Sequence, residues 1–85
     1  MQEADPKYLL ELAFAKMPFG KYKNRYLVDV PEFYYTWLKQ KGFPKGKLGV
    51  QLQSMYEIKI NGLEALVREV MRQNNPPPSK KNNQN

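Results

Sequence analysis

The final stretch of the chain, NNPPPSKKNNQN, holds no apolar side chain able to join a core. That leaves 85 − 12 = 73 residues to fold. A chain of this size has a single core that is only just sufficient. Two lobes closing over a substrate have no room. Cysteine is absent, which excludes a disulfide framework and a thiolate metal site. We expect one globular domain over 5–73, followed by a disordered Pro/Asn/Lys tail over 74–85 with a brief polyproline stretch at Pro76–Pro78. The N-terminal MQEADPKYLLELAFAK lacks the basic leader, long apolar run and cleavage site of a signal peptide. No apolar run approaches the ~20 residues of a membrane span. The expectation is a cytoplasmic protein with no membrane partner.

Helical periodicity flanks a non-helical middle. Asp5-Pro6 reads as an N-cap followed by proline at the first helical position. Tyr8, Leu9, Leu12 and Ala13 recur at helical spacing, with Leu9 and Leu12 facing inward and Phe14 a further candidate. Pro18 disfavours a helical Met17, so this helix should end near Lys16. Arg25 to Val30 alternates and is rich in β-formers. The spacing predicts a short β-hairpin, Pro18–Lys21 paired with Arg25–Val30, turning at Lys23-Asn24, where asparagine tolerates the left-handed conformation. Such a ribbon must lean on helices, because two strands alone are unstable in water.

Pro31-Glu32 opens a second helix, with Phe33, Tyr34, Trp37 and Leu38 as its buried stripe. Gly42 stops it. A third helix begins near Lys47 or Leu48. Leu48, Leu52, Met55, Tyr56, Ile60, Leu63, Val67 and Val70 keep one phase past Asn61-Gly62. That continuity favours one long helix, kinked or straight; Asn-Gly is also a common helix end, so two helices broken at Gly62 are the alternative. The fold class expected is therefore α+β: one hairpin packed on about three helices.

Charge is uneven along this layout. Between positions 16 and 47, Lys16, Lys21, Lys23, Arg25, Lys39, Lys41, Lys45 and Lys47 face Asp29 and Glu32, so 8 − 2 = +6. The remainder sums to 6 − 6 = 0. All the excess positive charge lies in the middle third, and a polyanion is the natural partner. Histidine is absent, which removes the commonest general base and the commonest metal ligand. Asp29 and Glu32 read as helix caps rather than a metal pair. GFPKGKLG fails as a phosphate loop: three residues, not four, separate Gly42 and Gly46, and Leu48 follows Lys47 where a hydroxyl is needed. We therefore expect no enzyme activity, no metal and no cofactor.

The candidate contacts are cationic and aromatic. Lys21 and Lys23 would project from one side of an extended segment, with Arg25 just past the turn. Lys39, Lys41, Lys45 and Lys47 extend the patch. Tyr22 or Tyr35 could stack a base; Tyr35 lies opposite the Trp37 face of its helix and is read as exposed. Phe19, Phe33, Tyr34 and Trp37 are read as core. The function expected is a non-catalytic accessory module that contacts phosphates of DNA or RNA. The alternative is a protein-interaction or regulatory module, dimeric through the third helix, where Val50, Ile58, Ala65 and Met71 fall off the main stripe. Lysine is also ordinary at a polar hairpin tip.

Three segments carry a family resemblance: Met17-Pro18-Phe19-Gly20-Lys21-Tyr22-Lys23, Lys41-Gly42-Phe43-Pro44, and Tyr56-Glu57-Ile58-Lys59 with Asn61-Gly62-Leu63. Over about Met17 to Leu66 the chain resembles a small bacterial family of unknown function labelled "putative quorum-sensing-regulated virulence factor". It departs at Asn24, where that family usually has glycine; both residues permit the turn. A shorter likeness, Phe19-Gly20-Lys21-x-Lys23 followed by Tyr34 or Tyr35 and Trp37-Leu38, is similar to a module appended to DnaQ-type exonucleases such as exodeoxyribonuclease X. That likeness implies an accessory nucleic-acid-contacting role, not a catalytic one.

Overall fold

The computed structural model describes residues 6–74. The Asp5 cap and residues 75–85 of the tail expected over 74–85 lie outside the described residues. Four α-helices carry the fold: α1 (Pro6–Phe14), α2 (Glu32–Lys41), α3 (Gly46–Ile60) and α4 (Glu64–Gln73). A short 3-10 helix, Leu27–Asp29, sits between α1 and α2. The described residues form no sheet, so the α+β class and the β-hairpin expected from the sequence are both corrected: the fold is all-helical.

The reason lies in how residues 15–30 spend their backbone groups. Ala15–Met17 and Asn24–Leu27 do approach antiparallel, but over one bridge, Lys16 with Tyr26. The Met17 N–H donates to the Arg25 carbonyl at 2.9 Å, the Asn24 N–H to the Met17 carbonyl at 2.7 Å and the Leu27 N–H to the Ala15 carbonyl at 2.9 Å. Pro18 has no N–H with which to extend this pairing. Residues 18–25 instead fold into successive turns, closed by Lys23 N–H to the Gly20 carbonyl at 3.2 Å and Arg25 N–H to the Tyr22 carbonyl at 3.0 Å. Past Tyr26 the chain tightens into the 3-10 helix. Leu27, Val28 and Val30 are all fully buried there, whereas a strand would have turned alternate residues outward.

The core gathers residues from every element: Leu12 and Ala13 of α1, Met17, the Leu27–Val30 segment, Tyr35 and Leu38 of α2, Leu52 and Met55 of α3, and Val67 of α4. α1 packs on α4, α2 packs on α3, and the 3-10 helix touches α1, α3 and α4. The α3–α4 alternative resolves as two helices, with a turn at Asn61-Gly62. α3 begins at Gly46 and is held close to the preceding loop at Gly49. A Cβ built at Gly49 would lie 1.7 Å from the Pro44 carbonyl oxygen, so only glycine lets the backbones approach this closely.

Two buried polar groups fix the central 3-10 helix. The Tyr35 hydroxyl donates to the Leu27 carbonyl at 2.8 Å. The Lys59 ammonium, on a side chain only 6% exposed, donates to the Val28 carbonyl at 2.8 Å and lies 3.8 Å from the Glu64 carboxylate. Burial pushes the Lys59 pKa down; the Glu64 carboxylate pulls it back up. Arg68 of α4 joins from outside, pairing with Asp29 at 2.7 Å.

Candidate functional site

The aromatic side chains sort differently from the sequence expectation. Tyr35, read as exposed, is fully buried. Phe33 and Trp37, read as core, are 67% and 48% exposed, and Phe19 is 38% exposed. The cause is the phase of α2. Its inward face is set by Tyr35 and Leu38, three apart, with Tyr34 half-buried at the edge. The Tyr35 hydroxyl can go inside because the Leu27 carbonyl receives it. Phe33, Trp37 and Lys41, at successive spacings of four, then share the opposite flank.

From that flank a row of rings runs to the 18–25 loop. Trp37 stacks on Tyr34 with centroids 5.5 Å apart, and Tyr34 meets Tyr22 edge-on at 4.9 Å. A lysine stands at each end of the row. Lys41 Nζ lies 5.2 Å from the Trp37 centroid and Lys21 Nζ lies 5.7 Å from that of Tyr22. Both distances suit a cation over a π face. Gly20 makes the junction possible. It sits at φ +75, and a Cβ there would lie 2.7 Å from the Tyr34 hydroxyl oxygen. Asn24 takes φ 72 in the same loop, as its place in the turn predicts.

The other candidate cations occupy separate positions. Lys23 and Arg25 are exposed in the loop beside Lys21. Lys39 leaves the opposite side of α2 and lies 5.5 Å from the Tyr56 centroid on α3. Lys45 is exposed at the start of α3. Lys47 is drawn toward α1 by Glu11, at 3.3 Å. Lys16 lies 5.1 Å from the Tyr26 centroid. The fold thus brings Lys21, Tyr22 and Lys41 into one row, with Lys23 and Arg25 next to it. It places Tyr35 inside, Lys39 on the α2–α3 seam, and Lys47 against an acid.

Neutralisation is sparse. Of the eight cations between 16 and 47, Lys47 alone meets a carboxylate among the described residues. Asp29 is engaged by Arg68 instead. Among the described residues there is no group of three or more His, Cys, Asp or Glu side chains able to hold a metal ion. No helix among them is long and apolar enough to cross a membrane.

Sequence reasoning missed Phe33 and Trp37 as surface residues. The available signal was the spacing Phe33-x3-Trp37-x3-Lys41, which is helical and ends in a cation. It also missed Lys59, which lies at the centre of the α3 stripe while Ile60, assigned to that stripe, is 50% exposed.

Comparison with known proteins agrees with the sequence resemblance. Over 69 residues the chain is 46% identical to "Uncharacterized protein YpeB" of Escherichia coli strain K12, covering 80% of this chain and 96% of that protein. The protein of the same name in Escherichia coli O157:H7 matches to the same extent. No solved structure matches the chain. Residues 5–70 match the family described as "Putative quorum-sensing-regulated virulence factor", and the chain belongs to that family.

Proposed function

We propose that this protein is a non-catalytic, cytoplasmic accessory module that binds the phosphate backbone of DNA or RNA. Lys21, Lys23 and Arg25 of the loop supply the first contacts, and Lys41 continues them along α2. Lys39, on the opposite side of α2, and Lys45, at the start of α3, stand apart from this row and add only to the overall positive potential. The observation that carries this reading is the lack of carboxylate partners for these cations among the described residues, while Asp29 is occupied by Arg68. Unpaired cations on one loop and one helix flank attract a polyanion, and each phosphate they neutralise adds salt-sensitive affinity. The likeness of Phe19-Gly20-Lys21-x-Lys23 to modules appended to exonucleases supports the same reading.

The test is fluorescence anisotropy with labelled single-stranded and duplex oligonucleotides over a salt series. The reading expects binding at low salt that weakens as salt rises, with a log–log slope of about −0.7 to −0.9 per phosphate neutralised. The Lys21→Glu/Lys23→Glu double variant should bind far more weakly. No affinity at low salt, or a double variant that binds like wild type, would overturn it.

A second reading, a protein-interaction module dimeric through the α3–α4 region, draws on a different surface. Leu63 and Leu66 are 44% and 62% exposed. With Leu9, Ile58, Val67 and Val70 they line an apolar hollow. Of the off-stripe residues, Val50 and Ala65 are exposed while Ile58 and Met71 are half-buried. Sedimentation over a concentration series separates the two readings: a dimer broken by Leu66→Glu favours this one, and a monomer at every concentration removes it.

A further inference from the structure

Phosphate binding needs cations and leaves the exposed rings of α2 unused. Water-facing aromatic area is costly, at roughly 25 cal/mol per Å², and a module gripping only a duplex backbone has no use for it. Phe33 and Trp37 are nonetheless exposed side by side, at 67% and 48%. Trp37 is braced from behind by its stack on Tyr34, and Tyr34 by Tyr22. The indole is therefore held in place, and its flank carries cations at both ends of the row.

We infer that the site takes single-stranded nucleic acid, with unpaired bases stacking on Phe33 and Trp37 while Lys41 and Lys21 hold the phosphates on either side. This rests on the phosphate-binding reading and narrows it. In a duplex the base faces are already stacked and out of reach; in a single strand every base offers a free π face. The spacing agrees. Residues four apart on a helix are about 6 Å apart along its axis, wider than the 3.4 Å step within one duplex strand. Successive bases meet both rings only in a strand drawn out of its stack. The Lys41 ammonium sits on a flexible stem, so it passes from the indole to an adjoining phosphate as a base takes the ring.

The chain has one tryptophan, so its emission reports the site directly. The experiment titrates the full chain at fixed low salt with oligo(dT), oligo(U), a GC duplex of equal length and inorganic polyphosphate. Trp37 emission should be quenched by either single strand and stay near its starting value with polyphosphate. A preference between oligo(dT) and oligo(U) identifies DNA or RNA as the source of the bases, and either supports the inference. Phe33→Ala, at an exposed position, should weaken single-strand binding by at least about fivefold, the equivalent of one stacked base, and leave polyphosphate binding unchanged. Equal or tighter duplex binding, with no quenching and no effect of Phe33→Ala, would overturn the inference and leave phosphate binding standing. Failure of every polyanion to bind would overturn both.

Discussion

The Tyr35 hydroxyl is the contact through which α2 grips the 3-10 helix. It donates to the Leu27 carbonyl, and the ring that carries it is fully buried. Tyr35→Phe keeps the ring and removes the hydrogen bond, at a cost of about 1 kcal/mol near neutral pH. Burial raises the Tyr35 pKa above its ordinary value of about 10. The unfolded phenol ionises near pH 10 and the folded one does not, so above that pH the unfolded state binds fewer protons. The native hydroxyl's stability is thus complete below about pH 10 and declines above it. Denaturant melts of the two proteins should show a gap that narrows as pH rises past 10. Lys59 has the opposite sign. Its folded pKa is depressed, so its contribution improves with pH up to its ordinary value near 10.5. Because phenylalanine preserves the ring near Lys59, that contribution cancels in the comparison. Gly49 is the second single-residue dependency. Gly49→Ala drives a Cβ into the Pro44 carbonyl oxygen and should cost about 3 kcal/mol or more by thermal melting. Neither dependence was legible beforehand. Phe33, Tyr34, Tyr35, Trp37 and Leu38 are aromatic or aliphatic at nearly every position, so the pattern fits more than one helical phase. The phase is chosen by one acceptor, the Leu27 carbonyl, which belongs to another element.

At the scale of elements, the helices were readable and the connection between them was not. Pro6, the Pro31-Glu32 start and the Gly42 stop mark boundaries that α1 and α2 keep. The α3–α4 stripe is continuous in sequence, yet the chain turns at Asn61-Gly62 and the stripe residues on either side, Ile60 and Leu63, are exposed. Over Arg25–Val30 the alternation of β-formers predicts a strand, and the structure overturns it. Leu27, Val28 and Val30 are all interior, and the Val28 carbonyl is claimed by Lys59 rather than by a neighbouring strand. Long-range acceptors of this kind leave no local mark. The loop and α2 are coupled through Gly20 and Tyr34. Gly20→Ala adds a side chain at a left-handed position, costing about 1–2 kcal/mol, and forces the Tyr34 hydroxyl to shift. Both the melting temperature and the Trp37 emission maximum should move. A change in melting temperature alone would mean that Tyr34 does not relay the loop to Trp37.

Across the whole molecule the two surfaces differ in chemistry. The loop and α2 carry cations and exposed rings; the α3–α4 corner carries Ile60, Leu63 and Leu66, all exposed. The clustering of basic residues in the middle third was legible from sequence, because it is a matter of order along the chain. Their sorting was not. Lys47 joins Glu11 across two helices and Lys39 joins Tyr56 across the α2–α3 seam, pairings set by packing. An amide chemical-shift titration of the full chain with a single-stranded oligonucleotide maps the bound face directly. The account predicts shifts concentrated at 20–25 and 33–41, with the α3–α4 corner at 60–70 unmoved. Shifts centred on that corner, or none at low salt, would contradict it.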